Sequence, residues 1–319
     1  MKNPAITLAM GVIAFALALS ACSSPPPATT APAKPRVALV LKTLNSPFFI
    51  DMQKGALASA NKLGIDLVVQ AADREVDVEK QMQIVENLIQ TGIKALLITP
   101  SGSREIVAVL AKVNAAGIPI VIVDTRLDAA AATAAGVVTA GFIGSDNYEG
   151  GKSAGAVLIE LSGGKARVAL LEGIPGHDTG DSRLRGFRDA TKGSPGIKVV
   201  ASQTANWERD QGFTVFQNML QAHPEIDSVF ACNDMMALGA VEAIAAAGKT
   251  GKIRVIGFDA VDDARKAIES GAMAASVAQS PADMGRLAVE SASKLIKGEP
   301  VSKEQTVPIE LVKKRTASK

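Results

Sequence analysis

The chain has 319 residues, of which 47% are hydrophobic and 21% are charged, a balance that excludes a largely disordered protein. A net charge of +2 gives no support for a nucleic-acid partner. Two cysteines exclude a disulfide-rich scaffold, and two histidines argue against a His-built metal site, so we expect neither a metal nor a cofactor. Aromatic residues make up only 3% of the chain, so any clustering of them is informative.

The N-terminal 21 residues are typical of a signal peptide. Lys2 is their only charge, and an apolar run from Ala5 to Leu19 follows it. That run is shorter than the roughly 20 residues of a membrane span. The string Leu19-Ser20-Ala21-Cys22 resembles the lipobox of bacterial lipoproteins, which implies that lipid on Cys22 anchors the mature protein to a membrane. The alternative is an ordinary secretory signal with a chance cysteine.

The next segment, residues 22–35, predicts an extended tether because Pro, Ala, Ser and Thr dominate it. The folded part therefore begins near Arg36. If Cys22 carries lipid, Cys232 has no disulfide partner, and we expect it to be buried as a small apolar residue.

From residue 37 onward, short apolar runs alternate with amphipathic segments. The apolar runs predict ten strands, at Val37–Leu41, Leu67–Gln70, Ala95–Thr99, Ile120–Asp124, Phe142–Gly144, Arg167–Leu171, Lys198–Ser202, Ser228–Ala231, Arg254–Phe258 and Ala274–Val277. Between them, apolar residues recur at helical spacing. The pattern predicts an α/β protein with two doubly wound parallel sheets of five strands each, divided near residue 145, and a ligand cleft at their carboxyl edges.

One glycine-rich string resembles two enzyme motifs, and both fail in context. Gly151-Lys152-Ser153-Ala154-Gly155 fits a nucleophile elbow, but the elbow needs a strand that runs directly into the serine. Here the strand ends near Gly144, and a helix is predicted from Asn147 to Leu161. A phosphate-binding loop would need glycine at the position of Asp146. The sequence therefore offers no catalytic residue, and we expect a protein that is not an enzyme.

Two adjacent aromatic rings, Phe48 and Phe49, follow the first predicted strand. Adjacent residues on a helix point in different directions, so one or both can face a cleft as a flat apolar wall. Sugar rings pack their C–H patches against such walls. The alternative is that both rings pack beneath the first helix.

Several segments, in the same order along about 275 residues, resemble the ribose-binding-protein group of bacterial periplasmic sugar-binding proteins, which are type I solute-binding proteins of sugar ABC transporters. They are the turn around Phe48 and the segments Lys62–Gly64, Ile120–Asp124, Ser145–Asn147, Arg183–Phe187, Phe230–Ala240, Val255–Asp259 and Ala278–Gln279. The Phe230–Ala240 segment is the most specific of them.

The resemblance implies a set of ligand-binding residues drawn from both lobes. From the first lobe it implies Asn45, Ser46, Phe48, Phe49, Thr99, Asp124, Thr125 and Arg126. From the second it implies Arg183, Trp207, Asn233 and Asp259, with Gln279 at a crossover. Such groups both donate to and accept from vicinal hydroxyls. Taken singly, Asn233 or Asp259 could instead cap a helix, and Arg183 could pair with Asp181.

At four of these positions the chain departs from the ribose-binding pattern. Ser46 and Thr99 replace amides, Thr125 stands where an arginine follows the aspartate, and Trp207 replaces a phenylalanine. We therefore expect a ligand other than ribose: a different pentose, a hexose or a polyol.

The resemblance further implies lobes of residues 36–144 plus 280–308 and 145–279 plus 309–319, joined by a three-segment hinge that closes around the ligand. It implies an exported, membrane-anchored monomer that delivers its ligand to an ABC permease with a separate ATPase. A sensor subunit that acts through a chemoreceptor or sensor kinase is the alternative. Transcription regulators of the LacI type share the fold, but this chain has a lipid signal where they have a DNA-binding segment.

Overall fold

The computed structural model describes Met1 and residues 33–314; the predicted signal peptide, Cys22 and most of the tether lie outside the described residues. Residues 33–314 form two six-stranded sheets flanked by ten helices. In that part of the chain, no helix is long and apolar enough to cross a membrane.

The first sheet contains β1 (Arg36–Leu41), β2 (Asp66–Ala71), β3 (Leu96–Ile98), β4 (Ile120–Val123), β5 (Gly141–Gly144) and β11 (Glu304–Thr306). Its order is β11-β5-β4-β3-β1-β2, and neighbouring strands are parallel. The central strands are buried on both faces: Leu39 packs into one apolar cluster and Val40 into another. The continuous apolar runs in the sequence follow from this two-sided burial.

The second sheet contains β6 (Ala166–Glu172), β7 (Ile197–Thr204), β8 (Ser228–Ala231), β9 (Arg254–Asp259), β10 (Ala275–Ala278) and β12 (Glu310–Lys313). Its order, β12-β10-β9-β8-β6-β7, repeats that of the first sheet strand for strand. The edge strand β12 runs antiparallel to β10, and the other pairs are parallel.

The helices lie between successive strands and cover both faces of each sheet. They are α1 (Pro47–Leu63), α2 (Val78–Ile89), α3 (Val107–Ala115), α4 (Ala129–Ala134), α5 (Asn147–Ser162), α6 (Asp178–Thr191), α7 (Arg209–Ala222), α8 (Asp234–Ala246), α9 (Asp262–Ser270) and α10 (Pro281–Ile296). The predicted α/β architecture with two doubly wound sheets is confirmed.

Within residues 33–314, the chain passes between the two sheets three times. After β5 it enters α5, which packs on α6 beside the second sheet; after β10 it enters α10, which packs on α1 beside the first. The third passage joins β11 of the first sheet to β12 of the second. Each sheet is therefore built from discontinuous parts of the chain.

Ten of the twelve strands lie where the sequence predicts them, and the prediction of five strands in each sheet was wrong by one. The missed strands, β11 and β12, have the sequences EQT and ELVK and are largely exposed. Edge strands carry polar residues because one side faces water, so the apolar pattern that locates buried strands does not find them. Cys232 is buried and unpaired within the described residues.

Candidate ligand-binding site

The carboxyl ends of strands from both sheets surround a cavity between the two lobes. Twelve residues line it: Lys42, Ser46, Phe48, Phe49, Glu75, Asp124, Thr179, Arg183, Trp207, Asn233, Asp259 and Gln279. Five of them lie at or within two residues of a strand's carboxyl end, where side chains of parallel sheets converge: Lys42, Asp124, Asn233, Asp259 and Gln279.

Three aromatic rings form apolar walls on opposite sides of this cavity. Phe48 and Phe49 lie in the first turn of α1, with ring centroids 5.2 Å apart and planes at 90°. Both rings also pack into the apolar core of the first lobe. The alternative that the rings pack beneath the first helix therefore accounts for part of their surface. Trp207 belongs to the loop after β7 and faces the cavity from the second lobe.

A buried polar cluster around Arg183 forms the second-lobe wall. The guanidinium donates to the Cys232 carbonyl (2.7 Å) and to Asn147 Oδ1 (2.9 Å), and lies 3.8 Å from Asp259 Oδ1. Gln279 donates to the same Asp259 oxygen at 2.8 Å. Burial raises the pKa of Asp259 to about 6, although Arg183 opposes the shift. Arg183 thus serves the cavity and not a surface pair with Asp181.

A second buried cluster, which the sequence did not predict, lies on the first-lobe wall. The ammonium of Lys42 is 3.5 Å from Glu75 Oε2 and 3.7 Å from Asp124 Oδ2, and its side chain is 2% exposed. Burial raises the pKa of Glu75 to about 7, opposed by Lys42. Because Lys42 continues β1 and Glu75 follows β2, the adjacency of those two strands brings them together.

Two buried polar atoms of the cavity residues, Trp207 Nε1 and Gln279 Oε1, have no hydrogen-bond partner among the described residues. One is a donor and the other an acceptor, and leaving either unsatisfied costs about 1–3 kcal/mol. A hydroxyl group can pair with either atom, since it both donates and accepts.

Backbone strain is concentrated at the same place. Among the described residues, five residues other than glycine have a positive φ, and three of them line the cavity: Asp124 (65°), Trp207 (68°) and Asp259 (108°). Such conformations cost about 1–3 kcal/mol each and cluster at functional sites.

Four predicted residues do not line the cavity. Asn45 is exposed and donates to the Asp73 carbonyl, while Thr99 is buried and donates to the Val40 carbonyl. Arg126 pairs with Glu304 and stacks on Phe142 at 3.7 Å. In this structure other protein groups use the hydrogen-bonding capacity of these three side chains, and their direct contact with a ligand stays a prediction.

Thr125, the fourth, supports the cavity from behind. Its hydroxyl is 2.9 Å from Asp124 Oδ2 and 3.0 Å from Thr179 Oγ1. It fixes the Asp124 carboxylate rather than reaching the cavity. Asn233 combines both of the roles considered for it: it lines the cavity, donates to the Trp207 carbonyl at 3.1 Å, and accepts from the Met236 amide as the cap of α8.

Direct contacts between the lobes accompany the burial of these residues. Thr125 of the first lobe meets Thr179 of the second, and the Asp178 amide donates to Ser103 Oγ at 3.1 Å. The structure is therefore the closed form of a two-lobe cleft.

Residues 37–300 match a family model described as a periplasmic binding protein domain. The chain belongs to the periplasmic binding protein family. It is 40% identical over 306 residues to the ribose import binding protein RbsB of Escherichia coli K12, covering 96% of this chain and 98% of that protein. It is 38% identical over 258 residues to the D-allose-binding periplasmic protein of the same organism, covering 81% of this chain and 83% of that protein.

Among solved structures, this periplasmic binding protein is similar to an ABC transporter periplasmic solute binding protein from Actinobacillus succinogenes 130z with bound D-allose. The TM-score is 0.82 at 40% sequence identity, and the match covers 88% of this chain and 98% of that one. The resemblance to the ribose-binding-protein group is thus confirmed. Membership in a family of binding proteins agrees with the prediction that the chain is not an enzyme.

Proposed function

We propose that this protein is an extracytoplasmic sugar receptor that captures a neutral monosaccharide or polyol by lobe closure and delivers it to an ABC importer. The observation that carries the proposal is the cavity itself. It places a donor and an acceptor without protein partners beside three aromatic walls and two buried ion clusters. A compact polyhydroxylated ring uses all of these features at once.

The charges of the cavity favour an uncharged ligand. Lys42 and Arg183 face Glu75, Asp124 and Asp259, so the two cations are already balanced by carboxylates. Burial raises the pKa of Glu75 to about 7, which reduces the negative charge further near neutral pH. A sugar phosphate would find no uncompensated cation, whereas sugar hydroxyls gain charge-assisted hydrogen bonds worth about 1.5–3 kcal/mol each.

Closure couples binding to transport. The aromatic walls and ion clusters come from both lobes, so a ligand that touches both stabilises the closed form over the open one. We expect the lobes, residues 36–144 plus 280–308 and 145–279 plus 309–319, to move as two bodies about the three crossings. The closed monomer then docks on a permease that a separate ATPase drives.

The ribose- and D-allose-binding relatives support a ribose- or allose-type ligand class, and the D-allose complex of the similar structure supports a hexose. Ser46 stands where the ribose-binding pattern has an amide, and Trp207 stands where it has a phenylalanine. Both differences favour a ligand other than ribose. The second candidate function is a sensor subunit for a chemoreceptor or sensor kinase. Genes for a permease and an ATPase beside this one would favour transport over sensing.

The proposal is tested by calorimetric titration with a panel of pentoses, hexoses and polyols, with the emission of Trp207, the only tryptophan, as a second readout. Arg183→Ala and Asp259→Ala should each weaken binding by at least about tenfold, since each removes a charged partner of the ligand. Arg188→Ala, an exposed arginine of the same helix, is the matched control and should bind normally. Unchanged affinity in both cavity variants would contradict the site.

We also propose that Cys22 carries lipid and that residues 22–35 tether the folded part to a membrane. The support is the lipobox-like string and the tether composition. Mass spectrometry of the mature N-terminus tests this: an unmodified N-terminus that begins elsewhere would contradict it.

A further inference from the structure

The indole of Trp207 lies in a slot whose floor is a glycine. A Cβ placed on Gly173, which directly follows β6, would fall well inside van der Waals contact of three indole atoms, Cζ2, Cε2 and Cη2. A Cβ on Gly180, in α6, would lie 3.1 Å from Cζ2 and 3.2 Å from Cη2. The six-membered part of the indole therefore occupies space that exists only because both positions lack a side chain.

The backbone that carries Trp207 is fixed on several sides. Thr204 donates to the Gly173 carbonyl at 2.6 Å and accepts from the Asn206 amide at 3.2 Å. Asn233 holds the Trp207 carbonyl at 3.1 Å, and Asn206 and Trp207 both have a positive φ. Because the loop is held by these hydrogen bonds, we expect the indole to answer a side chain at Gly173 mainly by rotating its ring.

The cavity is the space into which the ring would rotate. Trp207 is one of the residues that line the cavity between the two lobes. To restore an ordinary carbon–carbon separation, the ring would have to move by about 1.5 Å. A shift of that size across a small cavity removes room that a bound sugar needs.

We propose that Gly173 is a specificity-determining positioning residue: by lacking a side chain, it holds the Trp207 indole back from the cleft and so sets the size of the sugar that fits. The inference rests on the proposed sugar-binding function and adds to it the residue that fixes cavity width. Gly173 itself does not line the cavity and acts through Trp207.

The test measures the affinity of D-allose, D-glucose, D-ribose and D-arabinose by calorimetry for the wild type, Gly173→Ala and Gly180→Ala. Gly173→Ala should weaken the tightest-binding sugar by about tenfold or more, and should penalise hexoses more than pentoses. Gly180→Ala should change the preference in the same direction but less, because its contact needs only a few tenths of an ångström of adjustment. Gly193→Ala, with no described atom within 4 Å of its Cβ, is the matched control and should bind as the wild type does.

A double variant separates positioning from a general structural role. Trp207→Phe removes the part of the indole that lies over Gly173, so adding Gly173→Ala to W207F should change the affinity by less than about twofold. If Gly173→Ala alone fails to fold, the proposal requires that the double variant folds and binds as W207F does. A double variant that fails to fold, or an unchanged sugar preference in Gly173→Ala and Gly180→Ala, overturns the proposal.

The wild-type titration distinguishes the two levels of inference. A wild type that binds none of the four sugars contradicts the proposed ligand class, whatever the variants do. A wild type that binds a sugar while Gly173→Ala keeps its affinity and preference contradicts only the role of Gly173.

Discussion

His177 is the N-cap residue of α6 and lies against the closed cleft, where only 3% of it is exposed. Its Nδ1 has no hydrogen-bond partner among the described residues. Burial and the nearby Lys42 ammonium lower the pKa of this imidazole to about 3. The folded protein therefore keeps His177 neutral. At a pH where the unfolded chain would bind a proton on this residue, the folded protein does not, and folding becomes less favourable.

Replacing His177 should make the protein less sensitive to acid. A lowered pKa gives stability that is present above the unfolded value near 6.5 and is lost as the pH falls toward 3. At pH 5 this loss is about 2 kcal/mol, and His177→Asn should abolish it. The measurement is the free energy of unfolding at pH 7.5 and pH 5.

The chain supplies its own control for this prediction, because His223 is the only other histidine and its side chain is 39% exposed. His223→Asn should leave the loss between the two pH values unchanged. Equal pH dependence in His177→Asn and the wild type would show that protonation of His177 does not destabilise the fold.

At this scale the sequence predicted the cavity residues that follow strands and failed elsewhere for identifiable reasons. Asp124, Asn233 and Asp259 line the cavity because parallel strands end at one edge. Lys42 follows a strand in the same way, but a lysine with no visible partner in the sequence is expected to be exposed to solvent. Only the pairing of β1 with β2 places Glu75 beside it. Arg126 lies outside the cavity and pairs with Glu304, which is 178 residues away along the chain, so the sequence did not indicate this pairing.

Among the helices of the described residues, reciprocal glycine contacts join three pairs at close range: α5 with α6, α1 with α10, and α7 with α8. In the pair α5 and α6, a Cβ on Gly151 would strike the Arg183 carbonyl, and one on Gly186 would strike the Tyr148 carbonyl. Gly55 and Gly285 do the same between α1 and α10. The glycine-rich string that resembled enzyme motifs is therefore a helix-packing surface that seats the crossover helix on the second lobe.

Filling this contact should destabilise the protein far more than an ordinary helix substitution. Gly151→Ala forces α5 away from α6, and overpacking of this kind costs about 1–3 kcal/mol, outweighing the helix propensity that alanine adds. Denaturant unfolding measures the change, with Gly193→Ala as the control. A Gly151→Ala variant as stable as the wild type would contradict the close approach of the two helices.

The helices and strands could be predicted where burial determines which residue types they contain. Ten strands are apolar because helices cover both faces of the sheets, whereas β11 and β12 are polar because they lie at edges. Sequence periodicity also predicted the helix that begins at Asn147. The predicted division near residue 145 also assigned α5 to the second lobe, but the sequence gave no sign of the glycine contact by which α5 packs on α6.

On the scale of the whole molecule, the two sheets share one strand order, and each is completed by a helix that the other half of the chain supplies. The half that builds β1 to β5 ends in α5, which packs on α6. The half that builds β6 to β10 continues into α10, which packs on α1. The closed cleft thus lies between two bodies that are also joined by exchanged helices.

This exchange means that cutting the backbone midway would not divide the protein. The turn at Gly163 and Gly164 is left-handed, and Gly163 is exposed, so a protease site inserted there should be cut in the folded state. In the nicked protein, α5 of the amino-terminal fragment would stay packed on α6, and α10 of the carboxyl-terminal fragment would stay packed on α1. We expect the nicked pair to co-elute in size-exclusion chromatography and to retain ligand binding, and fragments that separate without denaturant would contradict the interlock.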